Sequence, residues 1–160
     1  MFKSIFMHSS IGLATVGLDG KFILANPYLC NLLGYTAEEL SNKTFSDITH
    51  PDDLSKNLAL WARLKSKEIT FYEIEKRYIH KDGHFIWILL IATTVLDNNQ
   101  NITHYIAQVK DISRERELEE ELEKHKELEL KRLIALNLQA KEYLQKESFC
   151  GKCYKNKKES

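Results

Sequence analysis

The stretch from Tyr72 to Ser113, YEIEKRYIHKDGHFIWILLIATTVLDNNQNITHYIAQVKDIS, decides how this chain folds. Its first part, Thr70 to His80, alternates with period two: Tyr72, Ile74, Lys76 and Tyr78 share one face, and Glu73, Glu75 and Arg77 the other. The first face is expected to point inward. Lys81-Asp82-Gly83 makes a turn, and Phe85 to Leu96 follows, apolar on both faces, so that both need covering. Asp97 to Asn101 turns the chain again before a last strand, Thr103 to Ile112. Asp111-Ile112-Ser113 then passes without a break into a highly charged segment.

Working outward toward the N-terminus, Ile11 to Leu18 and Lys21 to Ala25 are short apolar runs joined by Asp19-Gly20, a pair that tolerates the backbone of a hairpin turn. Pro27 is preset for a first helical position, and Tyr28, Leu29, Leu32 and Leu33 recur at helical spacing until Gly34. Thr36-Ala37-Glu38-Glu39 fits a capping box in which Glu39 reaches back to the threonine. A longer helix is expected from Pro51-Asp52-Asp53, whose carboxylates suit the positive end of a helix dipole, through the stripe Leu54, Leu58, Trp61 and Leu64. Five antiparallel strands with helices inserted between the second and third, on one face of the sheet, make an α+β fold.

Working outward the other way, composition shifts at Ser113. Arg114 to Glu147 contains neither glycine nor proline and consists largely of glutamate, lysine and leucine, which predicts a long helix. Leu130, Leu133, Asn137, Ala140 and Leu144 fall at alternating spacings of three and four, the seam of a coiled coil, with Asn137 placed to fix register. Leu118 and Leu122 begin a seam that His125 and Glu129 do not continue in the same frame. Such a helix is poorly stable alone, which points to a parallel homodimer. The outer strand face of Phe85, Trp87, Leu89 and Ile91 also needs a cover, part of which Ile5, Phe6 and Met7 can supply. From Ser148 onward the lysine-rich end reads as a frayed tail. Within it Cys150-Gly151-Lys152-Cys153 is half of a zinc site, which two chains side by side would complete as Cys₄. The expected organisation is a folded domain over 1–112, a signalling helix over 113–148 and a tail over 149–160.

Composition narrows the function. The 160 residues are 43% apolar, enough for one core of about 100 residues with an appendage. Lysine plus arginine and aspartate plus glutamate number 23 each, so no global field draws the chain to nucleic acid. No apolar run approaches the ~20 residues of a membrane span, and the N-terminus lacks the pattern of a signal peptide. Three cysteines, Cys30, Cys150 and Cys153, do not make a disulfide framework, and the chain reads as cytoplasmic.

The order of elements, with Gly34-Tyr35-Thr36-Ala37-Glu38-Glu39-Leu40, His50-Pro51-Asp52-Asp53, Glu75-Lys76-Arg77-Tyr78, Lys81-Asp82-Gly83, Trp87 and Asp111-Ile112-Ser113, resembles a PAS domain with its C-terminal PAC motif. The resemblance covers roughly residues 4 to 113 and is greatest to the PAS modules found upstream of bacterial diguanylate cyclase and histidine kinase outputs. It implies a sensor: a small ligand, cofactor or redox change felt inside a cup and read out by the flanking helix. Flavin photoreceptors of the family carry Asn-Cys-Arg-Phe-Leu-Gln where this chain has Asn42-Lys43-Thr44-Phe45-Ser46-Asp47, so no adduct-forming cysteine is present. The polar flavin contacts would fall on Tyr78, Ile88 and Val109, two of which make no hydrogen bond. Haem-binding members place a histidine on the long helix, and Leu54 to Lys65 has none. A small organic ligand, or none, is the expectation.

Any ligand is expected between the long helix and the inward strand face. Asn26, Leu33, Phe45, Ile48, Leu58 and Trp61 would line it from the helical side, and Tyr72, Ile74, Lys76, Tyr78, Ile88, Leu90, Tyr105, Ala107 and Val109 from the sheet. An inward Lys76 is expensive unless it meets an anionic ligand, reaches the rim, or pairs with a carboxylate such as Asp47. His50 is expected as a polar residue before the long helix, and Cys30 as a small buried hydrophobe. Asp111, Ile112 and Ser113 would relay the signal to a separate partner protein. The chain carries no cyclase signature, phosphoacceptor box, phosphate loop or nucleophile elbow, which argues against an enzyme. Two alternatives stand beside the sensor: an input fragment of a cyclase or kinase, and a ligand-free PAS module used for dimerisation.

Overall fold

Asn26 shows how the first third of the chain is fastened. The computed structural model describes residues 2–158, with side chains from 3 to 148. Strands β1 (Gly12–Val16) and β2 (Phe22–Ala25) pair as an antiparallel hairpin, and helix α2 (Pro27–Leu33) follows. The Asn26 side chain is wholly buried: its Oδ1 accepts from the amides of Leu29 and Leu13, each at 3.0 Å, and its Nδ2 donates to the Ile11 carbonyl at 2.9 Å. One residue thus caps α2 and pins it to β1. Gly34 ends α2 with φ 78°, a conformation that disfavours a side chain.

Helix α3 (Ala37–Ser41) is capped by Thr36, whose Oγ1 accepts from the Glu39 amide at 3.1 Å. Only this half of the capping box forms. The Glu39 carboxylate instead meets Lys81 Nζ at 2.9 Å, tying α3 to the turn after the third strand. Helix α4 (Pro51–Lys65) begins at His50, whose Nδ1 accepts from the Asp52 amide at 3.1 Å, an N-cap role for the residue expected only to be polar. Leu29, Leu33, Leu40 and Leu64 are fully buried on these helices. Each such side chain contributes about 1.5–3 kcal/mol of burial free energy.

Strands β3 (Phe71–Ile79), β4 (Phe85–Leu96) and β5 (Ile102–Asp111) complete a sheet of order β2-β1-β5-β4-β3, antiparallel throughout. Tyr72, Ile74, Lys76 and Tyr78 face inward as the alternation predicts, packed under α2 to α4 with Ile86, Ile88, Leu90 and Ala92 of β4 and Tyr105, Ala107 and Val109 of β5. The expected α+β architecture, with helices on one side of a five-stranded sheet, is observed.

The N-terminal segment forms a short helix, α1 (Phe2–His8), which packs against α2. On the outer face of β4, part of the cover comes from two arginines, since Trp87 lies under the Arg116 guanidinium, 3.6 Å from the ring centroid, and under that of Arg77 at 5.1 Å.

Helix α5 (Ser113–Lys158) runs on from β5. It continues through 149–158, where a frayed tail was expected; lysine and tyrosine carry the helical pattern past the single Gly151. The chain divides into two compact units, Met1–Arg116 and Glu117–Ser160. In the second unit Leu130, Leu133, Asn137, Ala140 and Leu144 are all exposed, as are the off-seam Leu136 and Leu138. No helix among the described residues is long and apolar enough to cross a membrane.

Candidate functional site

The concave side of the sheet and the face of α4 enclose a cup that narrows to a cavity of about 20 Å³, room for about one water. Seven of the predicted residues line it: Phe45, Trp61, Tyr72, Tyr78, Leu90, Tyr105 and Ala107. Val16, Phe22, Ala92 and Ile106 complete the wall. Val16 and Phe22 were missed because which residues of β1 and β2 reach the cup depends on the strand order, which no local pattern states; Ala92 continues the inward alternation of Ile88 and Leu90 and was legible in it, whereas Ile106 has the opposite parity to Tyr105 and Ala107. Leu33, Ile48, Ile74, Ile88 and Val109 are buried in the core around the cavity without lining it. Asn26 is committed to its cap and strand bonds and does not line the cup.

Leu58 does not belong to the site. It is exposed, and the inward face of α4 runs instead through Asn57, Leu60, Trp61 and Leu64. The buried stripe is therefore rotated by one residue from the apolar one, bringing a fully buried Asn57 inward in place of a leucine. Neither Asn57 amide atom has a hydrogen-bond partner in the protein. Each such buried group costs roughly 1–3 kcal/mol when left unsatisfied. Trp61 packs edge-on against Phe45, with centroids 4.9 Å apart, and against Tyr105 at 6.0 Å. Its buried Nε1 likewise donates to nothing. Burial drives the phenols of Tyr72 and Tyr78 well above their ordinary range, so both stay neutral hydroxyls.

Lys76 takes neither of the outlets expected for it. It is completely buried, so it does not reach the rim, and Asp47 accepts from the Thr44 amide instead of pairing with it. Its Nζ donates to Thr49 Oγ1 at 3.0 Å and lies over the rings of Tyr78, at 4.4 Å, and Phe45, at 5.4 Å. Those two rings also form the cavity wall, which places the amine directly behind it. Burial pushes Lys76 down to about 7, opposed in part by the charge of Asp53. At neutral pH the amine is poised between its two protonation states.

Around the outside, a line of charged contacts joins α4 to α5. Asp53 takes a two-pronged hold on Arg77, with Nε to Oδ2 at 2.9 Å and Nη2 to Oδ1 at 3.0 Å, and its Oδ2 also accepts from the Arg77 amide at 2.8 Å. This hold keeps the Asp53 carboxyl below its usual range. Arg77 lies over Trp87, Trp87 lies under Arg116, and Arg116 Nη2 donates to Glu75 at 3.1 Å. The first turn of α5 is thereby seated on β3 and β4.

The three residues expected at the relay sit at that seat. Asp111 Oδ1 accepts from the Ser113 amide at 2.9 Å, the Ile112 amide donates to the Trp87 carbonyl at 3.0 Å, and Ile112 is buried. Elsewhere, Cys30 is half-buried with its thiol pushed up by burial, as expected of a packing residue. Cys150 and Cys153 lie outside the residues whose side chains are described.

Comparison with known proteins accords with this geometry. Residues 22–109 match the PAS fold family. Over 112 residues, 70% of the chain, the sequence is 39% identical to a probable diguanylate cyclase, DgcE, of Escherichia coli strain K12, covering 10% of that protein. Over 85 residues, 53% of the chain, it is 26% identical to the sensor histidine kinase TmoS of Ectopseudomonas mendocina, covering 9% of it. The chain thus spans about a tenth of the length of these relatives. Among solved structures, the PAS domain of a Colwellia psychrerythraea protein superposes with a TM-score of 0.65 at 20% identity, over 71% of this chain and 95% of that one. On these grounds the chain belongs to the PAS fold family, as a sensor domain homologous to those of diguanylate cyclases and sensor histidine kinases.

Proposed function

We propose that this PAS domain perceives a small, acceptor-bearing organic ligand in the cup and transmits its presence through α5 to a partner or output domain. One observation carries the reading: the buried indole N–H of Trp61, at the cavity wall, has no protein acceptor. A ligand oxygen there satisfies a donor that is otherwise costly to bury, and the neutral hydroxyls of Tyr72 and Tyr78 offer further contacts. A ligand larger than a water enters as Trp61 yields. The test is a native mass spectrum of freshly purified protein beside a denatured one, for wild type and for Trp61→Phe and Trp61→Ala. The expected result is an extra mass on the native wild type, lost on denaturation and absent from the folded variants. The same mass retained by folded variants refutes the role of Trp61.

Transmission in this reading begins at Asp111, Ile112 and Ser113 and proceeds in a parallel homodimer along the seam of Leu130, Leu133, Asn137, Ala140 and Leu144. The exposure of every seam residue in the single chain supports it, because leucines in that number need a partner surface. The relatives support an output of the cyclase or kinase kind, and a cytoplasmic location suits such an input domain. Cys150 and Cys153 from two chains would make a Cys₄ zinc site at the far end of the pair. A second reading, a ligand-free PAS module used for assembly, is favoured by the small size of the cavity. A bare native mass that matches the denatured one supports it.

A further inference from the structure

We propose that the tip of the β3–β4 hairpin is a binding site for a divalent transition-metal ion, with His80, Asp82 and His84 as ligands and Zn²⁺ as the physiological class of ion. These residues flank the turn at alternate positions, and their donor atoms lie within 4.8 Å of one another. The two imidazoles are stacked, with centroids 4.4 Å apart and 20° between planes, and both turn Nδ1 toward the same carboxylate oxygen. His84 Nδ1 is 2.5 Å from Asp82 Oδ1, and His80 Nδ1 is 3.2 Å from it. Between His84 Nδ1 and Asp82 Oδ1 there is room for a proton. Zn²⁺ replaces it as the two ligand atoms draw apart at the exposed tip, and the proton leaves to solvent.

The carboxylate is held in advance, since Asp82 Oδ1 accepts from the His84 amide at 3.0 Å. The His80 Nδ1 lone pair accepts from the Asp82 amide at 3.1 Å, and binding of the ion exchanges that hydrogen bond for a metal bond. Behind His80 stands Gly34, where a Cβ would come within 2.5 Å of the ring, so the imidazole occupies space that only a glycine leaves. The Lys81 amide donates to the Leu33 carbonyl at 2.9 Å, which anchors the turn to the end of α2. Two imidazoles and one carboxylate suit Zn²⁺, Ni²⁺ or Cu²⁺, and not Mg²⁺ or Ca²⁺, which prefer an all-oxygen set. Asp82 and His84 are exposed, leaving the remaining coordination positions to water.

The experiment is calorimetric titration of ZnCl₂ into the untagged 160-residue chain carrying Cys150→Ser and Cys153→Ser, which removes the competing Cys-x-x-Cys pair. One ion per chain is expected, with affinity at least about tenfold weaker in each of His80→Gln, Asp82→Asn and His84→Gln. MgCl₂ is expected to give no binding. Circular dichroism establishes that each variant is folded, and all three positions lie at a hairpin tip outside the core. Absence of Zn²⁺ binding once the cysteines are replaced overturns the proposal. So does an affinity unchanged in a folded His80→Gln/His84→Gln double variant.

Discussion

Lys76 is a base whose folded state disfavours its charge. Its unfolded value is the ordinary 10.5 and its folded value about 7, so between those limits the unfolded chain binds more protons than the native one. Stability therefore rises with pH across that window, by at most about 1.4 kcal/mol per pH unit, and the burial penalty is complete below it. We expect Lys76→Met to raise stability at pH 7 by roughly 1–3 kcal/mol, as apolar replacements of buried ions commonly do. It should also flatten the dependence between pH 7 and 10. Urea denaturation at a series of pH values checks both. A destabilised variant that keeps the slope contradicts the account. The inward parity of Lys76 was legible from period-two alternation alone. Its partner was not, because Thr49 lies 27 residues away and reaches β3 through the loop before α4. Asn57 was illegible for a different reason: a search for apolar stripes selects Leu58 and passes over a buried amide.

At the level of elements, the caps and turns were the most readable. Pro27, Gly34 and Thr36 each do locally what their chemistry dictates. The Glu39 side of the capping box failed because a lysine 42 residues along supplied a better partner than the helix's own amide. The start of α5 at Ser113 was legible, but what seats it was not, since the Arg116 contact to Glu75 spans 41 residues and the stacking on Trp87 depends on strand order. From this seat we expect Arg116→Ala to cost about 1–2 kcal/mol, the combined loss of a stacked guanidinium and a half-exposed ion pair. Hydrogen exchange should show faster amide exchange in the first turn of α5 while β3 to β5 keep their protection. Uniform loss of protection across the sheet would mean that Arg116 supports the core instead of the helix root.

For the whole molecule, the fold was legible because the strands, turns and helices each agree with one architecture. The proposed coiled-coil seam predicts a definite oligomeric state. We expect size-exclusion chromatography with light scattering to give a dimer for the wild type and a monomer for Leu130→Glu/Leu133→Glu. The circular dichroism of the variant should lose helix while the near-ultraviolet signal of the PAS domain persists. A dimer that survives both charges would place the contact on the sheet or on α1. Asn137→Leu should strengthen association at the expense of a defined register, which a cysteine cross-linking pattern would reveal as mixed alignments.

The chain has two tryptophans, and they occupy opposite ends of the proposed path. Trp61 stands in the wall of the cup, and Trp87 is covered by two guanidinium groups where the last helix takes root. Natural fluorescence therefore has one emitter at the input and another at the exit, each in a distinct polarity. With Trp87→Phe silencing the exit, arrival of a signal at Trp61 becomes visible by itself, and the difference from wild type reports its departure, without a label.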